Sequence, residues 1–189
     1  MKSQFKKLLI DIGPGKINSE AWDKRYKDFT IIGLEPGTKI YNDLKDVYPG
    51  MLLNVAVSDK NGKIKCWEHP DYGILLFHLA ARQIKVFKKV KKKSIKLDSL
   101  DWKDFDEIHI WADIEGSELV MLKGAVKMLS SEKVKWIRLE IRKISPVSGW
   151  ASGKQVYDFL DKYGFKANIP LNTIPKKKHK DVIFTRINK

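Results

Sequence analysis

The sequence predicts an α/β domain: an open, doubly wound, mostly parallel sheet that ends in an antiparallel edge hairpin. Three observations carry this reading. Strand-like apolar segments alternate with helix-period segments over most of the chain, the pattern of a parallel sheet covered on both faces. The last two strand-like segments follow one another directly, so they pair as a hairpin at the sheet edge. The length, 189 residues, and the 43% hydrophobic content suit a single domain over 1–189 with a full core.

Residues 5–12 form the first strand, carried by Leu8, Leu9, Ile10 and Ile12. A helix over 18–27 follows, with Asn18 or Ser19 as N-cap. "FTIIGLE", 29–35, is a second strand with a β-branched run. The rhythm of Ile40, Leu44 and Val47 predicts a helix over 37–49, stopped by Pro49. "GMLLNVAVSD", 50–59, reads as the third strand, and "KIKCWEH" pairs back on it after a "KNGK" turn. Residues 69–97 read as a variable insert and an element of the acceptor side. "EIHIWADIEG", 107–116, is a strand ending in acids. Leu119, Leu122, Ala125, Val126 and Leu129 share one face of a helix over 117–129. "KVKWIRLEI", 133–141, is the next strand. A helix over 152–165 opens at Ser152 and closes at Gly164. "FKANI" and "DVIFTRI" are the final hairpin.

Bulk properties exclude several classes. Cys66 is the lone cysteine, so there is no internal disulfide and no cysteine-based zinc site. A reducing compartment follows. The basic, then apolar N-terminus runs straight into Asp11 without a small-residue cleavage site. No apolar run has the length of a membrane span. The expectation is a cytoplasmic protein. The net charge of +14 points to nucleic acid, anionic surfaces or acidic substrates, or else to a lysine-rich solvated surface. The lysines are spread along most of the chain, with two basic runs, "KVFKKVKKKSIK", 85–96, and "PKKKHKD", 175–181.

In an open α/β sheet, ligands sit beyond the carboxyl ends of the strands. The first strand ends "IDIGPG", where Gly13 and Gly15 let the backbone approach a ligand. The second ends at Glu35, about twenty residues on, where an acid accepts hydrogen bonds from ribose hydroxyls. A dinucleotide fingerprint would need a third glycine, and Asn18 occupies that position. Asp11 puts negative charge where a pyrophosphate would lie. That charge suits a cationic ligand, such as the amino group and sulfonium of S-adenosylmethionine, better than NAD or ATP.

"IDIGPG", "IIGLEPG", "NVAVSDKNG", "SIKLDSL", "IWADIEGSELVMLKGAVKML" and "WIRLEI" come in the order seen in FkbM-type methyltransferases, and nearly the whole chain resembles that family. "DIEGSE", 113–118, with "LKGA", 122–125, is similar to its most distinctive segment. Pro14 and Lys16 stand where relatives usually carry small or polar residues. The resemblance implies a Rossmann-like methyltransferase fold and S-adenosyl-L-methionine as cofactor. It implies that Asp11, Gly13 and Gly15 line the methionine part, that Glu35 holds the ribose, and that Pro36 lies beside the adenine. Ala56, Ser58 and Asp59 would add adenine contacts.

Asp113, Glu115 and Glu140 are the catalytic candidates. Methyl transfer to a hydroxyl needs in-line approach and removal of a proton, which a carboxylate or a bound metal supplies. Asp113 and Glu115 could offer oxygens to a divalent ion or act separately, and Asp113 also borders the cofactor. Glu140 orients the acceptor or the acid cluster. Glu118 reads as a partner of its helix dipole, and His109 as structural. The functional expectation is O-methylation of a sugar or small-molecule hydroxyl. The alternatives are an RNA 2′-O-methyltransferase and a non-catalytic nucleic-acid-binding module on the same fold. The partner expectations are accordingly a small-molecule or glycan acceptor, with nucleic acid through the lysine-rich runs as the alternative.

Overall fold

A computed structural model describes residues 5–15, 20–69, 75–76, 86–114, 116–144, 151–176 and 178–187. Its strands are β1 Lys7–Ile12, β2 Thr30–Leu34, β3 Met51–Leu53, β4 Ala56–Val57, β5 Gly62–Glu68, β6 Leu75–Leu76, β7 Lys88–Ile95, β8 Glu107–Ala112, β9 Val134–Arg142, β10 Phe165–Ala167 and β11 His179–Arg186. The helices are α1 Thr38–Leu44, α2 Glu118–Lys123, α3 Val126–Ser130 and α4 Gly153–Lys162.

The main sheet has the order β10-β11-β9-β8-β1-β2-β3. Strands β3, β2, β1, β8 and β9 are parallel to their neighbours. β11 runs antiparallel to both β9 and β10, the edge hairpin read from the sequence. The chain moves from β1 to β2 and β3 on one side, then returns to lay β8 and β9 on the other. The order therefore reverses between β1 and β8, and the crevice beyond their carboxyl ends is where such a fold receives a ligand.

Strict alternation sets the two layers. Leu8, Ile10, Ile12, Ile108, Ile110, Ala112, Ile137 and Leu139 point to one face, where they pack with Met121, Leu122, Leu129, Val156 and Leu160 of the helices. Leu9 and Ile31 point to the other, under Ala21, Tyr26 and Tyr48. α4 carries a capping box, with Ser152 and Gln155 exchanging side-chain-to-backbone bonds, and Gly164 follows it at φ +77°.

Five expectations change. The helix over 18–27 is replaced, within the described residues, by two 3-10 turns, Glu20–Trp22 and Lys24–Tyr26. Asp23, extended between them, accepts the Arg25 amide at 2.8 Å and restarts the chain instead of continuing a helix. The helix expected over 37–49 stops at Leu44, and Val47 lies exposed beyond it.

The strand expected over 50–59 divides between two sheets. Val55 bonds back to the Leu53 carbonyl, and the Asn54 amide reaches the Glu35 carbonyl at 2.8 Å. That tight turn sends Ala56–Val57 into a second sheet of order β4-β7-β5-β6. β5 accordingly pairs with β7, from the expected insert, and not with the third strand. The helix over 117–129 is α2 and α3, broken at Gly124. There a side chain would collide with the Ser58 carbonyl. Asp98, from far away in sequence, accepts the Lys127 and Met128 amides at 2.9 and 2.8 Å and so caps α3 anew.

Candidate active site

The β1 turn is held from both neighbours. The Gly13 amide bonds to the Leu34 carbonyl at the end of β2, and the Asp113 amide bonds to the Ile12 carbonyl. Gly13 sits at φ +75°, and a Cβ there would strike the Asp113 carbonyl. Glycine thus serves two needs at once: a left-handed backbone and contact with the tip of β8. Gly15 is also left-handed, at φ +60°, and among the described residues a Cβ there would meet the Gly13 carbonyl oxygen at 3.6 Å, an ordinary contact.

Glu35 follows β2 directly, with its amide on the Leu53 carbonyl. Its carboxylate is buried, 5% exposed, and accepts the Gly37 amide at 2.7 Å. Burial pushes its pKa up to about 7, against the pull of the Gly37 and Gly15 amides, with the Asp11 charge adding to the rise. The carboxyl is therefore poised between forms at neutral pH and bonded to the very turn that approaches the crevice. Pro36 is half-buried beside it.

Asp11 is fully buried, and its Oδ2 accepts the Tyr48 hydroxyl at 2.9 Å. Gly33, opposite Asp11 in β2, leaves the room that the Tyr48 ring occupies. Asp11 therefore lies beneath the turn, and its charge reaches the crevice through the glycines and not by direct exposure. The Tyr48–Gly33 pairing escaped sequence reasoning. A tyrosine before a proline at a helix end carries no local signal that it will reach a carboxylate 37 positions away.

Across the turn stands a second acidic group. Asp113 is exposed at the tip of β8. Glu118, the first residue of α2, is 4% exposed and accepts the Gly116 amide at 3.2 Å. Burial, joined by the charges of Glu140 and Asp113, raises its pKa to about 7 against the pull of the Gly116 amide and its own. Glu140 pairs with Arg142 at 3.2 Å and lies 3.6 Å from the His179 Nδ1. A small pocket runs between Gly116, Glu118, Glu140, Arg142 and Gly153. Glu118 thus belongs to the acidic group as well as to its helix start, which its position in the sequence did not reveal. Glu115 lies outside the described residues, as does Lys16. Among the described residues no three His, Cys, Asp or Glu side chains are grouped to hold a metal ion.

Ala56 and Ser58 are buried, and Asp59 is exposed. Ser58 bonds to Asp59 at 3.2 Å and to the Ile95 carbonyl, and its own carbonyl packs on Gly124. These contacts lie along the seam between the two sheets, and none reaches Glu35. The second sheet meets the site elsewhere. Lys92 of β7 donates to Glu68 at 2.9 Å and to the Thr38 hydroxyl at 2.7 Å, tying β5 and β7 to the start of α1. His109 bonds to Glu107 at 2.9 Å and stacks in an aromatic cluster with Tyr26, Phe29 and Trp136, well away from the strand tips.

The sequence profile described as the methyltransferase FkbM domain matches residues 16–167. Comparison with curated proteins gave no match. Among solved structures, a TehB-like SAM-dependent methyltransferase of Corynebacterium glutamicum superposes with TM-score 0.47 at 10% identity, over 98% of this chain and 83% of its own. The magnesium protoporphyrin IX methyltransferase of Synechocystis PCC 6803, solved with SAM bound, gives TM-score 0.49 at 11% identity, over 97% and 71%. No described helix is long and apolar enough to cross a membrane.

Proposed function

The chain belongs to the FkbM methyltransferase family, and from that premise we propose that it moves a methyl group from S-adenosylmethionine to a hydroxyl oxygen of a sugar or a related small molecule. The observation that carries this reading is the pair of carboxylates flanking the Gly13 turn: Glu35, buried at the end of β2, and Asp113, exposed at the end of β8. A turn whose two glycines, Gly13 and Gly15, carry no side chain, bordered by negative charge, fits a ligand with hydroxyls at one end and positive charge at the other. It fits a diphosphate poorly, because Asp11 and Glu35 already place two acids beside the turn.

In this reading Gly13 and Gly15 lie along the methionine part of the cofactor, Glu35 accepts the ribose hydroxyls, and Pro36 borders the adenine. Asp11 adds charge from below the turn. The cofactor supplies a methyl carbon made electrophilic by its positive sulfur. The residues of the chain do the rest. Asp113 accepts the proton of the acceptor hydroxyl as the oxygen attacks, and the exposed position of its carboxylate leaves room for that hydroxyl. Glu140, steadied by Arg142, orients the acceptor. Glu118, buried at the side of the pocket, can hold a proton at neutral pH.

Calorimetry with S-adenosylhomocysteine tests the cofactor half. Glu35→Ala is expected to weaken binding at least tenfold, and binding equal to the unmodified protein rejects the assignment. Transfer of labelled methyl to a panel of mono- and oligosaccharides tests the acceptor half. Asp113→Asn should cut kcat about 100-fold, within the usual range for a lost general base, a larger effect than its weakening of S-adenosylhomocysteine binding.

A further inference from the structure

The outer face of the second sheet carries an uncompensated ladder of lysines. In the β5–β7 register, Lys63 lies opposite Lys93 and Lys65 opposite Lys91, and Lys89 continues the same face opposite Trp67. All five lysines are exposed, whereas Trp67 is buried. Directly opposed side chains stand about 5 Å apart, and successive rows are about 6.8 Å apart along the strand. Like charges at that spacing destabilise the pair, so the arrangement works against the sheet that presents it.

Some lysines elsewhere on the surface are paired with carboxylates, and others are not. Lys39 pairs with Asp43, Lys154 with Asp158 and Lys166 with Asp161. On β7 itself Lys92, which points to the opposite face, is paired with Glu68. Among the described residues none of the five outer lysines forms an ion pair. What sets the ladder apart is its register: five exposed lysines on one face of two paired strands, two of them directly opposite two others, with no carboxylate among them.

We infer that this ladder docks the phosphate backbone of a single-stranded nucleic acid. Its width of two strands matches one phosphate chain more closely than a broad surface. Among the described residues it exposes no aromatic side chain for base stacking, so it would read charge and not sequence. Among the described residues, no exposed apolar side chain stands between these cations, as it would in an interfacial membrane contact. The inference is independent of the methyl acceptor, because the inner face of the same sheet, through Lys92, Glu68 and Thr38, is what borders the cofactor side.

Fluorescence anisotropy with a labelled 20-nucleotide oligouridylate, in the absence of cofactor and acceptor, tests it. Its failure would leave the methyl-transfer reading untouched. Five contacted phosphates predict a slope of about −3.5 for log affinity against log salt, or a loss of roughly 100-fold between 50 and 200 mM. The variant Lys63→Gln, Lys65→Gln, Lys91→Gln, Lys93→Gln should flatten the slope to about −0.7. Its melting temperature should stay level or rise, since like-charge pairs have been removed. A charge-matched control, Lys24→Gln, Lys39→Gln, Lys154→Gln, Lys166→Gln, should keep the steep slope. Equal flattening in the control overturns the inference, as does an unchanged slope in the ladder variant. So does binding to phosphatidylserine vesicles without binding to the oligonucleotide.

Discussion

Replacing Glu35 by Gln should make the ligand-free protein more stable while weakening its grip on the cofactor. The carboxyl is buried, and its pKa stands at about 7 against an ordinary 4.5. Each pKa unit is worth ~1.4 kcal/mol, so the ionised group costs the fold about 3 kcal/mol above pH 7. The direction follows from the raised value. The protonated form favours folding, so the contribution of this group is most favourable below pH 4.5 and is lost as pH rises from there through about 7. Gln retains an oxygen for the Gly37 and Gly15 amides but adds an amide that needs a partner, which returns about 1 kcal/mol. The net gain at pH 8 is about 2 kcal/mol, or roughly 4–8 °C in Tm for a chain of this size. At pH 5 most of it should be gone. Thermal melts at both pH values, followed by circular dichroism, measure the difference, and calorimetry on the same samples reads S-adenosylhomocysteine. A Tm gain that is the same at pH 5 and pH 8, or a loss at pH 8, would refute the picture of a strained, ionisable carboxyl. Undiminished ligand affinity would refute its role in binding.

Two further outcomes follow from single contacts. Tyr48→Phe removes the hydroxyl that Asp11 accepts in a fully buried place. It should cost about 1–3 kcal/mol, seen as a lower urea midpoint at pH 7. Asp98→Ala uncaps α3 by taking away the acceptor of the Lys127 and Met128 amides. It should cost ~1 kcal/mol and leave S-adenosylhomocysteine binding unchanged, because the cap lies at the far end of α2 from the strand tips.

What the chain determined locally was its alternation of strands and helices and the residues at the strand tips. A buried strand is an apolar run, and its end is marked by the first acid or glycine it can tolerate. Asp11, Gly13, Glu35 and Asp113 were therefore legible as a constellation before any coordinates. Ser152 and Gly164 announced α4 in the same way, because capping is chemistry within a few residues. What the tertiary structure decided depended on partners distant in sequence. The 50–59 strand splits because Asn54 finds the Glu35 carbonyl. The 117–129 helix breaks because Gly124 meets Ser58 and because Asp98 offers a new cap. Glu118 becomes part of an acidic group only when β9 brings Glu140 beside it. The lysine run reads in sequence as one basic stripe, yet pairing with β5 puts Lys88 and Lys92 on one face, Lys92 bonded to Glu68, and Lys89, Lys91 and Lys93 in a row on the other. Periodicity tells each segment which face to bury. It carries no information on which polar atom will be opposite once the segments are packed, since that is fixed by hydrogen bonds that exist only after the sheets have closed.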